Sequence, residues 1–538
     1  MNYRTRISLF ALALLLGTCT LHAQQPPQQP EPFPPPDSQQ QTPGQQPPDQ
    51  NPDQNNPDQN NPDQDNNNNY PFSGPPKPAG EALPYFDFGV FGGGADLRPD
   101  YTPLTSMLNA GLGFPAVKHS YWVPGISYGS TVQSNLFGAP NGGSGWYNTN
   151  YVTGDLSLLE AWSRSQLALN YSGGGSFSSN NFEGGNSAFQ QLAFAQSILL
   201  NRWIFQIVDQ FSQLPESAFG FGIGTMIGVP GVSGSLAPIV PGVGSAYNPN
   251  QTIYSSYGPR ISNVTVAEAT YQLTHRSSIT ASGSYGILHF TDSGNIDTHS
   301  LFASLGYNYQ LTKKDSIGFF YEFSSFHFPG SPEAYGTQTV SAAYARKITG
   351  RLALSLYGGP QFTSMRITTT GSTKLTNGYA SASLNYSLHN GGISGHYVHG
   401  ISGGSGIFTG SILDLAGGSL SRRLTRLWQG SINFGYAHNS TIGGSVTATT
   451  TPPGSTTTPP GSTTTYVPAG NYSYDNFYAG VGVGRPIGRS LSLFISYSAN
   501  FETNHPGCTT TTCPPSNTTS GQFINFNIRW HPRPFAFE

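Results

Sequence analysis

Three short patterns in this sequence carry residue types that can do chemistry, and each is weakened by its surroundings. "GISYG" (Gly125–Gly129) has the G-x-S-x-G form of a serine nucleophile elbow. That elbow needs a strand, a sharp turn and a helix. Here the match lies in a β-rich, Gly/Ser-rich stretch where chance matches are expected. "HYVH" sets His396 and His399 three apart. On a strand that spacing puts them on opposite faces, which opposes a shared metal ion. "GCTTTTCPP" holds Cys508 and Cys513, close enough in an exported chain to close a small disulfide loop. No catalytic, cofactor or metal site is assigned on these patterns, and the chain is expected not to be an enzyme.

The elements that would position any functional residue are strands. "YNYQLTKKDSIGFFYEF" (Tyr307–Phe323) alternates Tyr307, Tyr309 and Leu311 before a basic hinge, and Ile317, Phe319, Tyr321 and Phe323 after it. Period-two alternation gives one set of side chains to each face of a strand. The same pattern recurs around "THRS", "ITGR" and "RPIGRS", and near Ser163, Leu200, His389 and Leu424. The runs reach about 10–13 residues, longer than the ~5–6 of soluble sheets and enough for the ~9–11 of a tilted membrane-spanning strand. Hinges are short; the connections between hairpins are long and variable, including Gln213–Arg260 and His438–Tyr474.

Composition agrees. Charged residues make up 9% of the chain and aromatics 13%, against about 25% charged in soluble proteins. A net charge of −3 gives no reason to expect a nucleic-acid partner. More than half of the Lys and Arg residues sit in or beside the hinges, among them Arg276, Lys313, Lys314, Arg351 and Arg422. A charge facing lipid costs ~2–4 kcal/mol at the bilayer midplane and little at its edge. Tyr271, Tyr309, Tyr344 and Tyr386 come just before hinges, where an amphipathic ring suits the headgroup layer. The expected fold is all-β: a transmembrane antiparallel barrel of about eighteen strands, with sixteen as the fallback.

Four regions are expected. Residues 1–23 read as a secretory signal, with Arg4, Arg6 and an apolar run to Leu16; "LGTC" (Leu16–Cys19) is a near miss for a lipoprotein signal. Residues 24–80, with repeated Pro-Asp-Gln units, form a disordered linker. Residues 81–117 are a pre-barrel extension or plug, and 118–538 the barrel with a short tail. "TTTPPGSTTTPPGSTTT" (Thr449–Thr465) reads as a flexible external spacer.

With these patterns in view, the region from about Lys118 to Trp530 resembles a bacterial outer-membrane porin-type barrel. "FINFNIRW" is similar to the aromatic-ended last strand that such proteins present to the barrel-assembly machinery, although "HPRPFAFE" follows it here. The resemblance implies a Gram-negative outer-membrane location, with the linker periplasmic and the long loops extracellular. Partners would be outer-membrane lipids and the assembly machinery.

Alternation makes Glu268, Glu322, Ser496, Asn525, Asn527 and Arg529 candidates for the pore lining. A lining this weakly charged suits passive passage of small hydrophilic solutes. Gln213–Arg260, apolar and without charge after Glu216 until Arg260, is expected to fold into the mouth or to meet another chain, such as a second copy. The alternatives are a structural or adhesive surface protein with a plugged lumen and, less favoured, a barrel-embedded lipid hydrolase.

Overall fold

The computed structural model describes residues 120–134, 146–178, 186–214, 260–291, 296–331, 333–367, 371–403, 409–442, 446–450, 464–468, 472–488, 490–505, 517–533 and 535–537. The signal, the linker, the pre-barrel segment, Cys508, Cys513 and nearly all of the Gln213–Arg260 loop lie outside them.

Among the described residues the regular elements are all strands. The first eight are β1 (Ser120–Ser134), β2 (Trp146–Ala161), β3 (Ser165–Ser178), β4 (Ser187–Leu200), β5 (Trp203–Leu214), β6 (Arg260–Thr274), β7 (Ser277–Phe290) and β8 (Thr298–Gln310). The middle set is β9 (Asp315–His327), β10 (Glu333–Lys347), β11 (Leu352–Ile367), β12 (Gly371–Leu388), β13 (Gly391–Ser402), β14 (Ser411–Arg423) and β15 (Gln429–Thr441). Last come β16 (Val446–Thr450), β17 (Thr464–Pro468), β18 (Ser473–Ile487), β19 (Leu491–His505), β20 (Asn517–Trp530) and β21 (Phe535–Phe537).

Each barrel strand pairs antiparallel with its neighbour in sequence, β15 passing to β18, and β20 returns to β1 from Ile126↔Trp530 to Ser134↔Gln522. The sheet is closed. It holds nineteen strands, which exceeds the expected count of about eighteen because β21 also pairs with β1, at Ser120–Trp122. Pro532 has no N–H to donate and interrupts the ladder after Trp530; pairing then resumes in line with β20. The remaining two strands, β16 and β17, form a separate ribbon. It takes in both ends of the stretch expected to be a spacer, where β-branched threonines favour extended backbone.

Alternation decides the faces. Phe319 is 58% exposed and Phe320 6%, although the residues are identical. Any strand with one covered face alternates in this way; here the open face is apolar, which suits the convex side of a membrane barrel. Ile126, Leu305, Val340, Phe362, Phe434 and Ile495 are exposed on the same side, while the concave side mixes Ser, Thr, Asn and Gln with buried apolar residues such as Val266, Phe302, Phe320 and Leu415.

The short turns repeat one device. In "LTKKD" the Thr312 hydroxyl accepts the N–H of Lys314 and of Asp315, both at 3.0 Å. Thr349 and Thr425 do the same for the residues two and three further on. A side chain that satisfies turn N–H groups specifies the reversal locally. The β4–β5 turn is tighter: Leu200 pairs with Trp203, and Asn201 takes the left-handed conformation at φ 46°, which Asn tolerates better than most residues. Trp203 then packs on Tyr271 with ring centroids 4.6 Å apart, as part of the aromatic rim. At Gly391 a Cβ would lie 2.0 Å from the Ser421 carbonyl oxygen, so only glycine lets β13 leave its turn against β14.

Candidate functional site

Among the described residues, the concave face gathers buried polar groups from most of the barrel strands. Across its middle, one row of directly paired residues reads Glu268, Ser282, Ser304, Glu322, Thr339 and Gln361, from β6 to β11. Thr270 donates to Glu268 at 3.2 Å, Ser282 and Ser304 hydroxyls meet at 2.6 Å, and Gln361 donates to Thr339 at 3.3 Å. The next row toward the loops adds Thr337 and Thr363 at 3.1 Å. The arrangement offers many hydrogen bonds and few charges.

At the seam, Asn525 donates to Ser496 at 3.4 Å and accepts from Thr131 at 2.5 Å, which joins β19, β20 and β1. Asn527 reaches the backbone of β1 at Gly129. Arg529 passes across β1 to Asp155 on β2, Nη2 to Oδ2 2.5 Å. It crosses where Gly125 leaves room: a Cβ there would lie 2.5 Å from that same oxygen. "GISYG" therefore lies wholly within β1, without the turn and helix of a nucleophile elbow, and its first glycine makes space for an ion pair. Beside the pair, burial pushes the His531 imidazole below its ordinary pKa.

All six expected lining residues thus lie on the concave face. Glu268, Glu322, Ser496 and Asn525 are each at most 6% exposed. His396 and His399 face opposite ways: His396 lies over the concave position of Gly417, and His399 reaches Asp414 on the convex face.

Apolar residues share the concave side, with Phe320, Ala343 and Ala345 beside the Glu322 row and Leu413, Leu415 and Ala437 farther round, and a larger group sits at the loop end. Ile296, Phe326, Phe328, Tyr335, Met365, Ile401 and Ile442 form a buried apolar cluster, with Leu375 and Ile412 against it. Several of these flank the strands, so connections turn inward there. The described ends of the β13–β14 connection do so most clearly. Ile401 N–H donates to the concave side chain of Gln361 at 3.2 Å. The Thr409 hydroxyl donates to Glu333 on β10. Gly410, at φ 93°, lies where a Cβ would strike Tyr335. Thr409 and Ser411 are fully buried. Thr409 and Gly410, at the β14 end of the β13–β14 connection, thus lie inward; residues 215–259, of the loop expected to fold inward, lie outside the described residues.

The sequence reading missed Asp155, Glu333, Thr409 and Glu502. Two were within reach of the alternation rule. Asp155 alternates with exposed Val152 and Leu156 flanking it, and Glu502 follows exposed Phe501. Glu333 and Thr409 carry no such signal, because their contact depends on how a connection folds.

No protein-family model and no curated protein matches the chain. Among solved structures it is similar to the FrpB iron transporter of Neisseria meningitidis (F3-3 variant), at 7% identity and TM-score 0.36, covering 77% of this chain and 82% of that one. It is similar to Pseudomonas aeruginosa OccK2 (OpdF), at 9% and 0.37, covering 76% and 97%. It is also similar to Acinetobacter baumannii OccAB3, at 10% and 0.36, covering 77% and 99%. The barrel assignment rests on the strand pairing above.

Proposed function

We propose that this chain is an outer-membrane channel for the passive passage of small, weakly charged hydrophilic solutes. The observation that carries the reading is the contrast of the two faces. An apolar convex belt on a closed sheet suits lipid, since closure leaves no unpaired backbone edge. A concave wall on which rows of Ser, Thr, Asn and Gln run between apolar groups offers hydrogen bonds to water and small solutes. The roles of Glu268, Glu322, Ser496, Asn525, Asn527 and Arg529 are to line that wall. Few ionisable groups stand on that wall, and Asp155 and Arg529 neutralise one another, so charge selectivity is weak. The inward connection between β13 and β14 narrows the loop end. The N-terminal linker lies in the periplasm, the long loops face outward, and assembly proceeds through the barrel-assembly machinery.

A second reading, a structural or adhesive surface protein with a plugged lumen, draws support from the apolar cluster around Phe326 and Met365. Liposome swelling with sugars of increasing size separates the two. Swelling with small sugars that falls off with size supports the channel. No swelling with any of them, from vesicles proven to hold folded barrel, supports the plugged protein.

A further inference from the structure

One side of the concave wall is covered almost down to the short-turn rim, and its neighbours on the wall do not account for the cover. Phe302 on β8 is 3% exposed. Around it on that face stand Ser284 and Ser324 across the ladder and Ser300 and Ser304 along the strand. A phenyl ring rises above four serines, so something else lies over it. Thr280 on β7 is fully buried although Thr270, Gly306, Ser278 and Ser282 surround it, none of them larger. Ala345 on β10, between Ser316 and Ser355, is buried as deeply. At ~3.4 Å per residue and a tilt of ~40°, Ala345, Thr280 and Phe302 lie roughly 5, 8 and 20 Å above their short turns.

The other side of the wall is open at the same height. Ser394 stands three residues into β13, as Thr280 does into β7. Ser394, Ser383, Ser419 and Asn433, on β12 to β15, are all partly exposed. The cover over β2 to β10 is apolar where it touches. The hydroxyls of Ser157, Ser284, Ser300 and Ser341 and the amide nitrogen of Gln206 are buried there without a hydrogen bond, which water or a polar chain would supply. Turn residues at the near rim, such as Trp162, Arg202, Arg276 and Lys313, are exposed and do not fold over the lumen. The long connections outside the described residues all join strands at the far rim. At the near rim the chain arrives from its N-terminal side, since β1 starts there, with Tyr121 paired to Leu159 beside the β2–β3 turn.

We propose that residues 81–117 pack inside the lumen against β2 to β10 and leave the β12 to β15 side as the route for solutes. The route rests on the channel reading above; the packing does not. Tyr101–Val117, which leads into the barrel, carries no charge and offers Leu104, Met107, Leu108, Leu112 and Phe114 to an apolar contact. Residues 24–80, rich in Pro, Asp, Gln and Asn, would instead give the sealed hydroxyls partners. Reach is ample: residues 81–117 extend up to roughly 120 Å, against a wall about 35 Å tall. Burying apolar side chains against Phe302, Phe320 and Val266 is the driving force.

The test is the rate at which single cysteines on the wall react with a small water-soluble maleimide, in the refolded full chain with its native cysteines replaced by serine. T280C and S341C should react severalfold more slowly than S383C and S394C. Deleting residues 81–117 should raise T280C and S341C to the rate of S394C. L104N/L108N/L112N/F114N, which keeps the length of the chain, should raise them as well, and a heat-shifted band on semi-native gels shows that each variant is folded. Equal rates at all four cysteines in the parent overturn the proposal. So do slow T280C and S341C in a folded deletion or a folded asparagine variant. If they speed up only when Gly222–Gly244 is removed, the β5–β6 loop is the cover and the proposal falls. Because the readout is labelling, a failure here leaves solute passage standing, and a barrel that passes no current leaves the packing standing.

Discussion

Single residues in this barrel close gaps that backbone pairing alone leaves. Arg529 and Asp155 are 374 positions apart and join the last long strand to the second one over the bare backbone of Gly125. Asp155 is 5% exposed and Arg529 21%. Breaking a fully buried pair costs more, because a charge is left without a partner; with Arg529 partly wet, Asp155→Asn should cost about 1–3 kcal/mol. Gly125→Val should be at least as harmful, since its side chain would displace the carboxylate. Both are read as a lower melting temperature of the folded band on semi-native gels, and unchanged melting in both would remove the latch from the account. At the loop end, Glu333→Ala should release the Thr409 anchor and raise single-channel conductance while assembly stays intact. This pair was not legible in the sequence: "SPEAYG" and "IFTG" hold no periodic signal, and only the fold of a connection brings them together. The contact of His399 with Asp414 was hidden for a related reason: it forms only once β13 and β14 are in register.

Strands and turns, in contrast, were largely legible, because a strand with one face in lipid must alternate and a hinge must leave the belt. The eight short turns fall where basic hinges or hairpin centres were expected. What the alternation could not show was β21, where two prolines hid a resumption of pairing, or the ribbon of β16 and β17. The register gives a direct check. Ile495 is exposed on the convex face and Ser496 is buried on the concave one. Ile495→Arg should cost on the order of 2–4 kcal/mol and reduce folded barrel in the membrane, whereas Ser496→Arg should assemble. Equal assembly of the two would mean the faces are exchanged or that neither meets lipid. At the turns, Thr312→Val should cost about 1 kcal/mol, since it removes an acceptor for two N–H groups, and should slow refolding into detergent without altering conductance.

For the whole molecule, the proposed reading joins an apolar convex belt, a hydrogen-bonding concave wall and inward-turned residues at the loop end into one route across a membrane. Its orientation follows from the turns: a tag inserted at Thr456 should be reached by antibody on intact cells and a tag at Lys314 should not, and the reverse labelling would invert the topology. Its central claim is that the lumen is open to water and small solutes. Single-channel recording of the purified barrel in a planar bilayer, with sugars of graded size added to the bath, tests that most directly. The account predicts discrete conductance steps with little charge selectivity, reduced by small sugars that enter and unaffected by those too large for the mouth. A folded, inserted barrel that passes no current at any voltage would contradict it.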